Sequence, residues 1–288
     1  MKKREIESPF EFTWTVPDQG FKWMRAIRLN TKTRDTFLID NPSSYRRLHY
    51  WPLRDCTGLF RTFSQVLPTP QGVLEFADEF GQLGGRCRED VIDPSPSKLP
   101  SEGQPASLLK GESLLTWVKE ILPMRALVCL WDAARKAETS TLAKWIRWQD
   151  GGVIYDLQVD EFRAAGMLAA SDYHPQSLAR FAPGDVVQPA WHLLQVELNS
   201  HLREHSAMPQ LVWDQRQSEL RVCLIPTSLI SALWVQFAFA VGENHSYRTC
   251  ASCGKWFQVG PGGDMRADAK YCSNACRQRK FREKAASE

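Results

Sequence analysis

Residues 247–284 read YRTCASCGKWFQVGPGGDMRADAKYCSNACRQRKFREK, and this stretch decides the fold of the C-terminal part of the chain. It contains four of the eight cysteines, spaced as C-x2-C, eighteen intervening residues and C-x3-C. In a reducing compartment, paired cysteines at this spacing indicate a metal site rather than disulfides. Zinc accepts four thiolates in a tetrahedron. We therefore predict one structural Zn²⁺ ion, bound by Cys250, Cys253, Cys272 and Cys276.

The residues around the cysteines predict a treble clef, in which a knuckle is followed by a hairpin and a helix. Gly254 lets the first pair turn so that both sulfurs point at one ion. Residues 256–259 are typical of a strand, residues 260–263 of a turn, and residues 270–271 of the returning strand. Ser273 can then cap a helix that carries the last cysteine in its first turn.

This zinc site is expected to support folding rather than catalysis. Four thiolates leave no coordination position open for water. A module of about forty residues buries too little surface to fold alone, and zinc binding contributes on the order of 10–16 kcal/mol in comparable modules. Trp256, Phe257 and Phe281 are expected to cover the metal rather than to stack on bases.

Positive charge is concentrated in the same stretch. The chain carries a formal net charge of +3, while residues 248–284 hold nine Lys and Arg against three Asp and Glu, a net charge of +6. Once Glu288 is counted, residues 1–247 are left with a net charge of −2. The module stays positive even with about −2 from a zinc tetrathiolate centre.

The basic residues follow the last cysteine, on the expected helix: Arg277, Arg279, Lys280, Arg282 and Lys284. Arginines on a short rigid helix match the geometry of phosphate. We therefore predict that this helix contacts nucleic acid, with DNA favoured over RNA. The alternative is a solvated terminal helix, since charge density alone also fits that interpretation.

Two motifs resemble those of a known family. Cys-x2-Cys-Gly-x-Trp-Phe is followed by Tyr-Cys-Ser-x-x-Cys-Arg-x-Arg-x-Phe-Arg, and a helix, a hairpin and an apolar helix precede them. Over roughly residues 190–284 the chain resembles the CGNR-type zinc finger proteins of bacteria. The resemblance implies a stress-linked transcriptional regulator whose finger contacts DNA and whose larger part senses a signal.

The chain departs from that family at two points. The eponymous Cys-Gly-Asn-Arg is here Cys-Arg-Gln-Arg at residues 276–279, and the first cysteine pair is closer together. The family's zinc ligands correspond to the same four cysteines, and its basic contacts correspond only loosely, to Arg277 and Arg279. Since many bacterial regulators dimerise, the same analogy allows a homodimer.

Residues 1–247 are expected to form a large regulatory or sensor portion of mixed α+β class, ahead of the finger module at residues 248–288. The chain has 288 residues, 43% hydrophobic and 24% charged, which is typical of a globular protein and favours two units. Residues 93–107 hold four prolines, four serines and a glycine, and they are predicted to form a loop or linker.

Hydrophobic periodicity predicts the elements of this larger portion. Strands are expected at residues 10–16 and 36–39. A first hairpin is expected at residues 145–148 and 153–157, and a second at residues 211–214 and 220–225. A helix is expected to begin at Pro70, with Thr69 as its cap, and to end at Gly84–Gly85. A second helix is expected at residues 113–137, with a break or bend at Pro123. Two more are expected at residues 189–205 and 226–241. The last helix is nearly all apolar and is expected to lie centrally in the core.

Outside the finger, Cys129 and Cys223 are predicted to act as small buried apolar residues, and the tryptophans to pack in the core. The longest apolar run, Leu229–Val241, is too short to cross a bilayer as a helix. The basic start of the chain is not followed by the apolar core of a secretory signal. A cytoplasmic protein without a membrane partner is therefore expected.

One motif indicates an enzyme instead. Residues 201–205 read His-Leu-Arg-Glu-His and fit the H-x-x-E-H signature of inverzincin peptidases, in which two histidines bind zinc and Glu204 acts as base. Glu219 and Glu243 are the candidates for a third ligand. Such short motifs also arise by chance, and the chain is predicted not to be an enzyme. A third interpretation is a protein-interaction adaptor whose finger binds an acidic protein surface.

Overall fold

Helices and short strands alternate in the computed structural model, which describes residues 12–94, 108–149, 152–155, 181–205, 207–214, 218–261, 263 and 265–286. This mixture confirms the α+β class. The described strands are β1 (Trp14–Pro17), β2 (Phe21–Arg28), β3 (Arg34–Asp40), β4 (Arg47–Tyr50), β5 (Glu89–Ile92), β6 (Leu108–Ser113), β7 (Ile146–Gln149), β8 (Gly152–Tyr155), β9 (Ala207–Asp214), β10 (Glu219–Pro226), β11 (Ser246–Thr249) and β12 (Trp256–Val259). The described helices are α1 (Pro52–Asp55), α2 (Leu59–Ser64), α3 (Pro70–Phe80), α4 (Leu114–Arg135), α5 (Thr139–Leu142), α6 (Val187–Glu204), α7 (Leu229–Gly242) and α8 (Asn274–Ala286), with a 3-10 turn at Gly85–Cys87.

Four N-terminal strands close into a small barrel in the order β2-β3-β6-β5, with every neighbouring pair antiparallel. Strand β3, which confirms the strand predicted at residues 36–39, is buried on both faces. Phe37 and Ile39 pack in a small cluster with Ala26 and Val91, whereas Leu38 packs in the main core. The barrel thus has its own interior and also forms one wall of the main core. A separate two-stranded sheet pairs β1 with β4.

Helix α3 begins as predicted and ends earlier than predicted. The Oγ1 atom of Thr69 accepts a hydrogen bond from the N–H of Gly72 at 3.2 Å, and Pro70 occupies the first turn. The residue after the helix, Gly81, adopts φ +94°, a backbone conformation that favours glycine and ends the helix. The stop predicted at Gly84–Gly85 is therefore wrong by about one turn.

Of the break or bend predicted at Pro123, the break is wrong, because helix α4 runs through this residue without interruption. A proline inside a helix removes one hydrogen bond and costs about 3 kcal/mol. Here Pro123 is buried, and the helix is buried on several sides, with Trp117, Ile121, Leu127 and Trp131 fully inaccessible. Tertiary packing around α4 therefore holds the helix continuous where local sequence would interrupt it.

Helix α7 is the second central helix, as its apolar sequence predicts. It begins at Leu229 rather than at Pro226, because the Oγ atom of Ser228 caps it by accepting a hydrogen bond from the N–H of Ser231 at 3.2 Å. Its side chains Trp234 and Phe237 are fully buried. Helices α2, α4, α6 and α7 contact one another around this core.

The two predicted hairpins are present as β7–β8 and β9–β10, the second with eight residues in each strand. The register of β9–β10 places Trp213 opposite Leu220 and Leu211 opposite Val222, so the four side chains share one face. All four are exposed, and they form what we call the hairpin patch. The turn of β7–β8 and most of the loop predicted at residues 93–107 lie outside the described residues.

Within the described parts of the chain, no helix combines the length and the apolar composition that crossing a membrane requires. Cys223 is buried as predicted, and Cys129 is half-buried against the main core.

A carboxyl group is fully buried where the barrel meets the main core. Glu112 of β6 accepts hydrogen bonds from the N–H groups of Leu83 at 3.0 Å and Gly84 at 2.7 Å. Burial raises the pKa of the Glu112 carboxyl to about 7, although the two N–H groups and nearby Arg88 act in the opposite direction. The folded protein therefore takes up a proton at this group over a pH range in which the unfolded chain does not.

We expect this titration to make the protein less stable as the pH rises from 4.5, the ordinary value for the group, to about 7. The stabilising contribution is complete below the unfolded-state pKa and is lost as the pH rises through the folded-state pKa, a change of up to about 3 kcal/mol. The Glu112→Gln variant lacks this titration. Its free energy of unfolding should therefore increase relative to that of the wild type as the pH rises from 4.5 to about 7. Urea denaturation at a series of pH values measures the difference, and a constant difference would contradict the prediction.

Candidate metal centre

Four cysteines converge near the C-terminus. Cys250 and Cys253 lie in the loop between β11 and β12, while Cys272 precedes α8 and Cys276 lies in its first turn. Their Sγ atoms all lie within 4.8 Å of one another. The Sγ atom of Cys272 is 3.7 Å from that of Cys253 and 3.6 Å from that of Cys276. The predicted cluster is present, and its four thiols could hold one metal ion.

Backbone hydrogen bonds shape the turn that carries the first pair. The N–H of Cys250 donates to the carbonyl of Lys255, and the N–H of Gly254 donates to the carbonyl of Cys250, each at 2.9 Å. Gly254 adopts φ +71°, in the left-handed region that favours glycine. This is the role that the sequence predicts for Gly254, and the turn brings both sulfurs to the second pair.

Two further hydrogen bonds fix the second pair. The Oγ atom of Ser273 accepts a hydrogen bond from the N–H of Cys276 at 3.2 Å, so Ser273 caps α8 as predicted. The N–H of Ala251 donates to the carbonyl of Lys270 at 2.9 Å. This bond ties together the two loops that carry the cysteines.

Cys250 and Cys272 have shifted thiol pKa values. Burial acts to raise the pKa of Cys250, but backbone N–H groups of Cys272, Ser252 and Cys253 point at its sulfur and together lower this pKa to about 6. Burial and the neighbouring thiols raise the pKa of Cys272. The backbone thus favours one thiolate, whereas several thiolates side by side need a cation to balance their charge.

The partner of β12 differs from the prediction. Strand β12 pairs antiparallel with β11, with Thr249 opposite Trp256. Residues 270–271 form no strand, and Val259 makes an isolated bridge with Met265 instead. The returning strand predicted at residues 270–271 is therefore wrong, because the partner strand precedes the first cysteine.

Of the three aromatic residues predicted to cover the metal, only Phe257 packs against the cysteines. Phe257 is buried in a cluster with the cysteines, which Tyr271 also joins. Phe281 is 75% exposed on α8. Trp256 packs against the larger portion, where its Nε1 donates to Oε1 of Gln65 at 3.1 Å. Alternation along β12 thus sends Phe257 to the metal side and Trp256 to the opposite side.

The finger module docks on the larger portion around Arg61. This side chain is buried, and its guanidinium donates two hydrogen bonds to the carboxylate of Asp132, at 2.8 and 2.7 Å. Its Cζ atom lies 4.9 Å from the ring centroid of Trp131, 5.3 Å from that of Tyr247 and 5.1 Å from that of Trp256. Tyr247 belongs to β11, which begins two residues before the boundary predicted at residue 248 and pairs with β12, so we count the whole strand with the finger module. Since Trp256 belongs to β12, both strands of the finger module contact the core of the larger portion.

The residues predicted to contact nucleic acid lie on α8. Four of them have exposed side chains: Arg277, Arg279, Lys280 and Arg282. Lys280 forms an exposed ion pair with Glu283 at 3.1 Å, an interaction worth little in solvent. Lys284 also belongs to α8, and its side chain lies outside the described ones.

The two histidines of the H-x-x-E-H motif lie beside a carboxylate that differs from both candidates for a third ligand. His201 and His205 face a carboxylate of α4, Glu120, which lies upstream in the chain. Neither predicted third ligand joins this group: Glu219 is exposed on β10, and Glu243 pairs with His245. Sequence reasoning missed the carboxylate because nothing in the motif indicates which other helix packs against it.

The two histidines lie in an apolar environment. Burial lowers the pKa of His201 to about 4, with His205 acting in the same direction and Glu120 in the opposite one. The imidazole of His201 stacks on Trp234 with ring centroids 3.9 Å apart and an interplanar angle of 4°. Glu204, the base expected for a peptidase, is exposed, whereas His205 is buried.

Comparisons with known proteins give no match to a family model, a curated protein or a solved structure. The resemblance to CGNR-type zinc fingers therefore stays a prediction, and function is argued from the geometry of the site.

We expect Cys272→Ser to lose the metal of the cluster and to unfold residues 248–284, because in a module this small the energy of metal binding is the energy of folding. The larger portion has its own core and should stay folded. Metal analysis and hydrogen exchange measure the two effects. Cys129→Ser is the control and should keep the metal. Full metal content in the Cys272→Ser protein would show that Cys272 is not a ligand.

A second prediction concerns docking. A Cβ atom at Gly58 would lie 2.6 Å from the Cβ of Trp256 and 3.0 Å from its backbone carbonyl carbon, so Gly58→Ala must displace β12. We expect a loss of about 1–3 kcal/mol in the free energy of unfolding, as for other overpacked sites. Gly242→Ala, which meets no atom within 4 Å, is the control. Equal stability of the two variants in urea denaturation would contradict this docking.

Proposed function

We propose that the C-terminal module is a structural zinc finger of treble-clef type that binds nucleic acid through α8, with DNA preferred over RNA. The observation that carries the proposal is a helix with four exposed cations whose first turn contains a cysteine of the metal cluster. In this proposal the chain is a cytoplasmic transcriptional regulator, with residues 1–247 as its sensor portion. The regulatory role rests on the resemblance of residues 190–284 to the CGNR-type proteins.

Zinc is the ion that fits the cluster best. Four Zn–S bonds of about 2.3 Å at tetrahedral angles place the sulfur atoms roughly 3.8 Å apart. The separations from Cys272 to Cys253 and Cys276, 3.7 and 3.6 Å, are close to this value. Since four protein ligands complete the tetrahedron, this ion would stabilise the fold without activating a water molecule.

Helix α8 depends on that ion for its rigidity. A 13-residue helix in water is marginally stable on its own. Like charges three or four residues apart, such as Arg279 and Arg282, oppose its formation. The Ser273 cap and the coordination of Cys276 fix the first turn, and the cations that follow are thereby held in one geometry.

One face of α8 combines positive charge with an apolar ring. Asn274, Arg277, Gln278 and Phe281 recur at helical spacing and line a shallow groove. Because Phe281 is largely exposed, its ring is free to stack on a base while Arg277 contacts a phosphate. This arrangement supports a nucleic-acid partner.

A second candidate function is a protein-interaction adaptor. The observation that favours it is the hairpin patch, in which four large apolar side chains on one face of β9–β10 are exposed. Contiguous apolar surface of this kind is typical of protein interaction sites. In that case the finger module would bind an acidic protein surface, and short DNA or RNA would not compete for it.

We expect the simultaneous replacement of Arg277, Arg279, Lys280 and Arg282 by Ala to weaken binding to duplex DNA and to flatten its salt dependence. Each lost phosphate contact should reduce the slope of log K against log salt by about 0.9. Alanine favours the helix, so the fold should be retained. Fluorescence anisotropy of labelled DNA over a salt series provides the measurement, with RNA of the same sequence in parallel.

The control for this experiment removes four exposed cations of the N-terminal strands and their loops: Lys22, Arg25, Arg34 and Arg46. It changes the net charge by the same amount and should leave binding nearly unchanged. If both variants bind DNA as the wild type does, or both weaken equally, α8 is not the contact surface.

A further inference from the structure

The strongest unexplained feature of the larger portion is a group of two histidines and a glutamate, in which His205 is buried and His201 and Glu120 are half-buried. His201 and His205 are four residues apart near the end of α6, so they lie on the same face of that helix. This face packs against α4, where Glu120 points toward both imidazoles. One ligand atom from each of the three residues lies within 4.8 Å of the other two.

The group contains polar atoms that lack hydrogen bonds. The Nε2 atom of His205 lies 3.1 Å from Oε2 of Glu120, but among the described residues it has no partner in hydrogen-bonding geometry. The same holds for the Nδ1 atom of His201. His205 is only 6% exposed, so neighbouring solvent does not replace the missing bond. A buried polar atom left without a partner costs about 1–3 kcal/mol.

The surroundings orient the three side chains. The ring of Trp234 lies flat against His201. The Nε1 atom of Trp234 lies 3.4 Å from Oε2 of Glu120 and donates to it. Contacts that fix the orientation of a ligand in this way are typical of the residues around metal sites. Trp234 is fully buried, so this wall of the site is rigid and apolar.

We propose that Glu120, His201 and His205 form a second metal site, which binds a divalent transition-metal ion, with Zn²⁺ as the preferred ion. Two imidazole nitrogens and one carboxylate oxygen are a donor set that zinc uses in proteins. One cation between the three ligand atoms would give the Nε2 atom of His205 a partner and offset the carboxylate charge. The ion would also join α4 to α6.

This proposal concerns metal binding and not the peptidase chemistry of the motif. Three protein ligands leave a fourth tetrahedral position open, but the expected base, Glu204, is exposed to solvent while His205 is buried. The second site shares no residue with the cysteine cluster. It therefore stands or falls independently of the proposed nucleic-acid function.

The test is a count of metal ions in the full-length protein. The protein is stripped with a chelator under reducing conditions, titrated with Co²⁺ and with Zn²⁺, and analysed by native mass spectrometry and absorption spectroscopy. We expect two ions per chain. The cysteine cluster should give an intense thiolate-to-cobalt charge-transfer band, and the second ion should give only weak ligand-field bands, because its ligands are nitrogen and oxygen.

Variants assign the second ion. Glu120→Gln and His205→Gln should each reduce the count from two ions to one and keep the thiolate band. His192→Gln, on the same helix but outside the group, is the matched control and should keep both ions. Cys272→Ser should lose the thiolate band and keep the second ion.

The wild-type count keeps the proposal falsifiable even if a variant fails to fold. A single ion with the full thiolate band in the wild type would overturn the second site, and the group would then be a buried His–Glu ion pair. Two ions that persist in Glu120→Gln and His205→Gln would also overturn it. Loss of DNA binding in the α8 variant would leave the count at two.

Discussion

The placement of the finger module depends on the burial of one guanidinium. A charge as deeply buried as that of Arg61 requires a partner, and Asp132 supplies one with two hydrogen bonds of 2.8 and 2.7 Å. These two residues join α2 to α4. The rings of Tyr247 and Trp256 then complete the surroundings of the guanidinium from the finger side. Strands β11 and β12 therefore help to enclose this charge, so the finger module packs against the larger portion through specific side chains.

The two parts of the chain are stabilised by different means. The larger portion buries large aromatic and aliphatic side chains around α4 and α7, and this packing is strong enough to carry a helix through Pro123. The finger module buries only a small cluster around its cysteines. In the proposed function, metal coordination and docking on the larger portion supply the rest of its order. The cations of α8 are thus held in place by a module that buries little apolar surface.

Much of the local structure was predictable because its determinants are close in sequence. The caps Thr69 and Ser273, the hairpin β9–β10 and the cysteine cluster all follow from residue types at short spacing. The errors share a different cause. The partner of β12, the packing of Trp256 against the larger portion and the position of Glu120 beside the H-x-x-E-H motif depend on which distant segments meet. Periodicity fixes the face of an element, but it does not identify the element that packs against that face.

The same long-range packing runs from the histidine group to strand β11. Trp234, which lies against His201, is followed one helical turn later by Phe237, with ring centroids 6.4 Å apart. Phe237 stacks on Phe60 at 5.0 Å, and Phe60 meets Tyr247 of the finger module at 5.3 Å. Close-packed interiors transmit displacement because they contain few voids to absorb it. These contacts form a continuous series of packed rings from the histidine group through α7 to β11, so the packing of the larger portion and the position of β11 depend on the same side chains.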